Sequence, residues 1–519
     1  MIRSELIASV GTLLARHTEA RPDKLAFRDA RSSVSYRQLA DATANLASRL
    51  QELGVGPNDS VALCLPNSVE WVESCLATVR AGAVCVPISY DATAPEMRYR
   101  IEDAGCKIVI TTDERAEMIA SLAAENVPLT LVLVARGEKR ADGLRFDDMC
   151  KVPGPDLPRD LQNIDRPSFI IYTSGTTGRA KGVLLSERSM LWVTAACWAP
   201  IAGLSENDVL LSALPLFHSY ALNLSVLSVL AVGASETILE RFSCSEVMAQ
   251  LQTGEYTLFP GVPTMFHYLL EAARADPACR FPGLRVCLSA GAIMPGAINA
   301  EFEQRFGITL LDGYGITETS TMVTLNWMNG SRVRGSCGLA LPGLSVRLID
   351  PATGRDVAVS AEGELIVRGP NLMKGYHAKP AETASALRDG WYYTGDLARS
   401  DANGFLTITG RLKEVIIRGG QNIAPSEVEE AVSAFASVLD CAVIGAPHTH
   451  LGEVPVAFVV ERPGMSVSAE LLIEHCRAVL SAYKLPAAIH IVAEIPRTGS
   501  GKILRFRLRE ALQSIEEQI

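Results

Sequence analysis

What this 519-residue sequence lacks narrows it first. No CxxC pair occurs among its twelve cysteines, and none of them clusters with histidine at metal-ligand spacing, which sets aside a disulfide framework or a zinc module. The scattered thiols read as reduced, mostly buried side chains of a cytoplasmic protein. His448 and His450 form the one close histidine pair. With no third ligand beside them, a solvated loop is the expectation there. No apolar run is long enough for a membrane span: the most apolar stretch, Leu222–Ala234, carries Asn223 and two serines and falls short of the ~18 residues required. The first twenty residues interrupt their apolar positions with Arg3, Glu5, Arg16, His17 and Glu19, the pattern of an amphipathic helix rather than of a signal peptide. Positive charge is not in excess; a net charge of −10 disfavours nucleic acid as the main partner. Repeats, low-complexity linkers and a Walker loop are also missing. The length exceeds the ~250–300 residues at which one hydrophobic core stops growing, so at least two domains are expected.

What is present is a repeated alternation of strand-like and helical patterns. Ser60–Leu65, Val84–Ile88 and Lys107–Thr111 read as buried strands, with helical patterns over Ser68–Arg80 and Ala94–Ala104 between them, the mark of βαβ units and a parallel sheet. The alternation recurs at Asp208–Leu214, Tyr256–Phe259, Leu284–Ser289 and Thr309–Asp312. After about residue 335 the pattern turns β-rich, with Leu344–Asp350, Gly363–Arg368 and Phe405–Thr409 between Pro/Gly/Asn turns, and predicts an antiparallel, barrel-like subdomain. A compact α/β segment follows from Ile416, with helices near Ser426–Phe435 and Ala469–Leu480 and strands near Cys441–Gly445 and Val454–Val460. The helix after Ile423 has two plausible starts, Pro425 as first residue or Ser426 with Glu429 as a capping box. Pro153–Pro158 reads as a flexible connection.

Chemistry concentrates in five segments. Tyr172–Gly182 (YTSGTTGRAKG) packs four Ser/Thr hydroxyls, three glycines, an arginine and a lysine into one loop. Glycines let backbone N–H groups approach phosphate oxygens, and Lys181 adds a mobile charge. Phe169–Tyr172 and Gly182–Leu185 flank the loop as short apolar runs, so it is expected to join two strands rather than a strand and a helix. A Ser/Thr/Gly surface turn is the bland reading of this segment alone. A second Gly-rich element, Pro496–Ile503 (PRTGSGKI), presents Lys502. Between them lie Leu311–Thr319 (LDGYGITET), Tyr393–Asp396 (YTGD) and Gly410–Ile423 (GRLKEVIIRGGQNI). Together they offer an aromatic for a base, acids for ribose hydroxyls or a metal, and an arginine for a polar clamp.

These five segments, in this order and at these separations, closely resemble the adenylate-forming superfamily of acyl-CoA synthetases, 4-coumarate CoA ligases, luciferases and peptide-synthetase adenylation domains. The resemblance spans nearly the whole chain; one departure is Ala180, where the family usually has proline in the phosphate loop. It implies an α/β fold with a large N-terminal domain, 1–410, of two stacked α/β subdomains plus the barrel-like subdomain, and a small mobile C-terminal domain, 411–519. It implies ATP, Mg²⁺ and coenzyme A. By similarity, Thr173, Ser174, Gly175, Thr176, Thr177 and Lys181 would hold the β- and γ-phosphates, Thr317 the α-phosphate and Glu318 the Mg²⁺. Lys502 would stabilise the pentavalent α-phosphorus and the attacking carboxylate. Gly291, Ala292, Asp312, Gly313 and Tyr314 match the adenine pocket, Asp396 the ribose ligand and Arg411 its partner. Lys413 occupies the hinge position of a swinging C-terminal domain, and Gly420 would let pantetheine pass close to backbone.

The resemblance also orients the substrate. Leu214–Ala221 matches one wall of the carboxylate pocket, with His218 at the acyl entrance and Tyr220 behind it. Asn223 stands near where amino-acid-activating domains carry an aspartate for the α-amine, so an amino acid is disfavoured. Gly261, Val262, Ser289, Ala290, Met322 and Val323 are the other lining positions; being apolar or small, they suit an uncharged aliphatic or aryl tail. No arginine is placed for a second carboxylate. Ile417 and Gly419 stand where coumarate ligases usually carry lysines, which favours the fatty acyl-CoA ligase type. The sixteen residues after Ile503 leave no room for a fused carrier domain, and the chain end is not a peroxisomal address. CoA is the favoured acceptor; a separate carrier protein is the alternative, and a homodimer stays open. A P-loop kinase and a non-catalytic nucleotide-binding module are the rival readings.

Overall fold

The computed structural model describes residues 1–122, 129–135, 141–155, 160, 163–173, 180–419, 421–498 and 502–516. The candidate residues Ser174, Gly175, Thr176, Thr177 and Gly420 lie outside this set, as do parts of the Pro153–Pro158 connection and of the Pro496–Ile503 loop.

Two large sheets make up most of the chain. The first has eight strands in the order Gly375–Tyr376, Lys181–Ser186, Pro167–Thr173, Val84–Pro87, Ser60–Cys64, Ile108–Thr112, Thr130–Val134, Leu144–Arg145. It is parallel from Pro167–Thr173 onward. The second has nine, with Leu25–Arg28, Ser235–Ile238, Val209–Ser212, Leu258–Gly261, Val286–Ser289 and Thr309–Tyr314 forming its parallel centre. Strands such as Ser60–Cys64 are buried along their whole length, as parallel strands covered on both faces must be. Their continuous apolar runs in the sequence have this origin. One large core joins inner faces of both sheets, bringing Val61, Leu63 and Phe169 into the same cluster as Leu210, Leu258 and Leu288. Each such side chain contributes on the order of 1.5–3 kcal/mol by burial. The helices start on local signals: Ser68 accepts from Trp71 N at 3.2 Å and so opens Val69–Arg80.

The β-rich segment is a five-stranded antiparallel sheet, Ser345–Ile349, Gly363–Arg368, Leu387–Arg388, Trp391–Ser400 and Leu406–Arg411. It joins the nine-stranded sheet through the Gly338–Leu406 bridge. The C-terminal unit wraps the long hairpin Val438–His448/Gly452–Glu461 with helices on both faces. Its first helix begins at Pro425, because both rival capping groups are engaged elsewhere: the Ser426 hydroxyl donates to Thr409 O, and Glu429 accepts from Val443 N and Arg505. All twelve cysteines are free thiols. Among the described residues no helix is long and apolar enough to cross a membrane, and no group of three or more His, Cys, Asp or Glu is arranged to hold a metal ion.

Candidate active site

Chain segments distant in sequence converge where the parallel strands of the nine-stranded sheet end, the place at which open α/β sheets bind ligands. Pro167–Thr173 and Lys181–Ser186 pair antiparallel, Thr173 opposite Lys181, so the Gly-rich loop does join two strands. Lys181 Nζ lies 5.0 Å from the centre of the Tyr376 ring. The Tyr376 hydroxyl in turn donates to Glu318 Oε1 at 3.0 Å. One tyrosine therefore ties the loop lysine to the acid read as the metal ligand. The sequence holds no local signal for Tyr376, since its role comes from the pairing of Gly375–Tyr376 with the loop's second strand.

The turn carrying Thr317 and Glu318 is strained. After a single helical turn, Thr317–Thr319, the backbone passes through two consecutive left-handed residues, Ser320 at φ +50° and the β-branched Thr321 at φ +97°. Such conformations cost about 1–3 kcal/mol each and persist only when the surroundings impose them. Here the fully buried Asn371 does so, donating to Thr319 O at 3.0 Å and Met322 O at 2.8 Å. Asn371 was not legible as a positioning residue in the sequence. Gly315 completes the arrangement: a Cβ there would sit 1.6 Å from Thr321 O. The buried Thr317 hydroxyl meets Ser219 Oγ at 3.2 Å.

Asp396 is almost fully buried and its carboxylate is held from both sides, by Arg411 Nε at 2.7 Å and by the Tyr314 hydroxyl. Burial and this carboxylate push the Tyr314 phenol up, while Asp396 raises Arg411. Asp312 is buried with Oδ1 unpartnered, and burial holds its carboxyl well above the usual range. Gly313 has no room for a side chain, with Met322 Cε 2.5 Å from the Cβ position. Gly291 takes φ +89° and Ala292 is exposed beside it.

Lys502 reaches this group from the C-terminal unit. Thr498 and Lys502 clasp the base of its loop, Thr498 N to Lys502 O at 2.8 Å and Lys502 N to Thr498 Oγ1 at 3.1 Å. Burial lowers the ammonium's pKa, Arg411 lowers it further, and Asp396, Glu318 and Glu414 oppose. The same ammonium faces His218, whose imidazole is pushed down to about 3, first by burial and then by the lysine charge. His218 is thus neutral, and with Nδ1 accepting from Tyr220 N at 3.4 Å the proton sits on Nε2. Ile417, Gly419 and Gln421 are exposed, and Arg418 donates to Tyr483 O within the C-terminal unit. Lys413 is exposed in the turn that Glu414 N closes on Arg411 O at 3.0 Å.

Among the lining residues, Gly261, Val262, Ser289, Ala290 and Met322 are buried near the strand ends, and Ser289 Oγ is unpartnered. The Tyr220 hydroxyl donates to Leu288 O at 3.3 Å and its ring stacks on Trp198. Two expectations need correction. Asn223 is committed to structure, accepting from Trp198 Nε1 at 2.7 Å and donating to Met190 O at 2.8 Å. It is fully buried and pins the π-helical segments Thr194–Trp198 and Leu222–Ser228 together. Val323 packs with Leu365, Val367 and Ala398 under the antiparallel sheet, whereas its neighbour Met322 belongs to the large core.

With this geometry in place, comparison with known proteins is informative. Residues 14–377 match the family of AMP-binding enzymes and residues 427–502 the AMP-binding enzyme C-terminal domain. The chain is 35% identical over 504 residues to a feruloyl-CoA synthase of Amycolatopsis sp, covering 96% of this chain and 98% of that protein. It is 32% identical over 524 residues to a long-chain-fatty-acid–CoA ligase of Bacillus subtilis (strain 168), covering 94% and 92%. ATP-bound MatB from Rhodopseudomonas palustris superposes with a TM-score of 0.89 at 32% identity, covering 97% of this chain and 99% of that one. Apo MatB, at the same identity and coverage, superposes at 0.78. The arrangement described here is nearer to the ATP-bound one.

Proposed function

This chain belongs to the AMP-binding enzyme family, and from that premise we propose that it joins a medium-chain aliphatic or aryl monocarboxylic acid to coenzyme A through an acyl adenylate. The observation that carries the reading is the convergence of Lys502, from the C-terminal unit, with His218, Asp396 and Glu318 on the large unit and with Arg411 at the boundary between the two. In the first step a carboxylate oxygen of the acid attacks the α-phosphorus of ATP, the bond to the bridging oxygen breaks, and pyrophosphate leaves. Both reactants are anionic, so positive charge aimed at the developing pentavalent centre lowers the barrier. Lys502 and Lys181 supply it. Tyr314, buttressed by Asp396, would pack against adenine, and Asp396 would accept from ribose hydroxyls. The unpartnered oxygen of Asp312, on a carboxyl whose pKa burial raises, fits an amino group such as adenine's.

Glu318 fits Mg²⁺ as a hard oxygen donor: one carboxylate oxygen is oriented by Tyr376 and the residue stands half-buried. When bound, the ion would offset phosphate charge. Neutral His218 borders the acid without adding a charge of its own. In the second step the CoA sulfur attacks the acyl carbon, its proton is lost, and the carbon–oxygen bond to AMP breaks. Lys502 meets the nucleotide residues while Ile417, Gly419 and Gln421 are exposed, which supports a reorientation of residues 411–519 between the steps, with the Lys413 turn as its hinge. CoA rather than a carrier protein is the acceptor we propose, in keeping with the CoA enzymes among its relatives.

Product analysis is the test. AMP and pyrophosphate are expected; ADP with orthophosphate would replace adenylation by phosphoryl transfer. Lys502→Ala should lower pyrophosphate exchange by at least about 100-fold while ATP affinity stays within about tenfold, since the lysine acts chiefly in the transition state. In a screen of acids, monocarboxylates should lead; a preferred dicarboxylate would contradict the pocket reading, and transfer to a carrier protein in preference to CoA would contradict the acceptor.

A further inference from the structure

Resting on the acyl-CoA ligase reading, we propose that Glu236, with Ser225 and Ser212, forms the far wall of the acyl channel and selects acids that carry a hydroxyl at the end remote from the reacting carboxylate.

Glu236 lies in the middle of Ser235–Ile238 and is fully buried, yet neither carboxyl oxygen has a hydrogen-bond partner among the described residues. The fold gives no reason for polarity there. In sheet register its row is Phe27, Glu236, Leu210, Leu258, and the next residue on its own face of the strand is Ile238. All of these neighbours are buried and apolar. A leucine would satisfy the packing, and buried polar groups left unpaired in a native protein call for an explanation. The Ser225 hydroxyl lies beside the carboxyl, but it donates to Ser212 Oγ at 3.0 Å. Among the described residues no cation acts on the carboxyl, and burial pushes its pKa well up, favouring the protonated form, which can donate one hydrogen bond and accept others.

Position links this group to the site. Ser225 belongs to the π-helical segment Leu222–Ser228, which follows directly on Tyr220 and roofs the sheet; π-helical turns are frequent at functional sites because they re-aim side chains. The floor beneath is apolar, Leu210, Leu258 and Leu288, and Tyr220 reaches that floor at Leu288 O. Leu258, in the row of Glu236, stands three residues before Gly261. Two inter-strand steps of ~4.8 Å and three rises of ~3.3 Å place Glu236 about 14 Å from Gly261, the reach of a medium-length chain or an arylpropenoate. A tail running along Leu288 and Leu258 would meet its first polar groups at Ser212, Ser225 and Glu236. A hydroxyl suits them: it exchanges hydrogen bonds with a neutral carboxyl. An ammonium would require that carboxyl to ionise in an apolar wall.

The experiment compares kcat/KM by pyrophosphate release for acids matched in length, ω-hydroxyalkanoate against alkanoate and para-hydroxyaryl against unsubstituted arylpropenoate, in the wild type, Glu236→Leu, Glu236→Gln and Ser225→Ala. The wild type should favour the hydroxylated member of a pair by at least about tenfold, as sites built to pair a hydroxyl do. Glu236→Leu should erase or invert that preference and raise Tm. Glu236→Gln, which keeps a donor and an acceptor, should retain most of it. Should the leucine variant fail to fold, the glutamine and alanine variants carry the test, Ser225→Ala being expected to weaken the preference. The same ratio in every variant would remove Glu236 from the channel, and a preference for ω-amino over ω-hydroxy acids would overturn the hydroxyl assignment. Either result leaves adenylation standing. Absence of pyrophosphate release with every acid would overturn the ligase reading instead.

Discussion

Breaking one ion pair should change the balance between the two half-reactions without touching the chemistry. Arg462 follows the hairpin of the C-terminal unit and is anchored there by donating from Nε to Ala436 O and from Nη2 to Val438 O, both at 3.2 Å. Its Nη1 lies 2.6 Å from Glu271 Oε1, on the helix Pro263–Ala275 of the large unit, with the two side chains 21% and 24% exposed. Exposed pairs contribute about 0.2–1 kcal/mol and breaking a buried one costs about 3–5. This pair stands between, and Arg274, 3.0 Å from the same oxygen, shares it. About 1.4 kcal/mol is a fair central value, a factor of ten in an equilibrium constant. If adenylation draws on the docked arrangement and thiol transfer on the undocked one, each rate scales with its own population, and the ratio of the two rates shifts by the full factor whichever state dominates. Pyrophosphate exchange and single-turnover transfer from preformed adenylate to CoA measure the two rates. For Arg462→Gln and Glu271→Gln the transfer-to-exchange ratio should rise about tenfold, and the double variant should rise no further than either single one. A ratio unchanged within about twofold, or additive effects in the double variant, would refute the reasoning.

His218, with a folded-state pKa of about 3 against about 6.5 unfolded, binds fewer protons folded than unfolded. Its neutrality therefore stabilises the fold above about pH 6.5, and that contribution is lost as pH falls toward 3. Its C2–H resonance should stay flat down to pH 5 and begin to titrate at higher pH in Lys502→Ala; an ordinary titration near 6.5 in the wild type would contradict the geometry. Gly315→Ala should abolish adenylation and lower Tm, because the new Cβ meets Thr321 O at 1.6 Å; near-normal exchange would show that the strained turn relaxes freely. Lys413→Pro should depress thioester formation by about tenfold while exchange persists, proline restricting a backbone torsion at the proposed hinge turn. If both reactions fall together, the substitution has damaged the turn, whose third position proline tolerates poorly.

Local chemistry determined much of this protein directly from its residues. Continuous apolar runs bounded by turns specify strands buried on both faces, so Ser60–Cys64 and Ile108–Thr112 were readable one by one. The hairpin nature of the Gly-rich loop was legible for the same reason. The candidate phosphate and nucleotide residues announced themselves by glycines and hydroxyls close together along the chain. What tertiary structure alone decided is where long-range partners meet. Pro425 rather than Ser426 begins its helix because Thr409 and Val443, remote in sequence, take the competing side chains. Asn223 and Val323 are committed to packing because neighbouring helices and the antiparallel sheet claim their surfaces. Tyr376 and Asn371 matter only through strands and turns that fold against them. The charge on Lys502 faces His218 across 284 residues, a proximity no local pattern encodes. Periodicity and turn chemistry act over a few residues; side-chain orientation, electrostatic neighbourhood and the unpaired carboxyl of Glu236 arise from packing between elements.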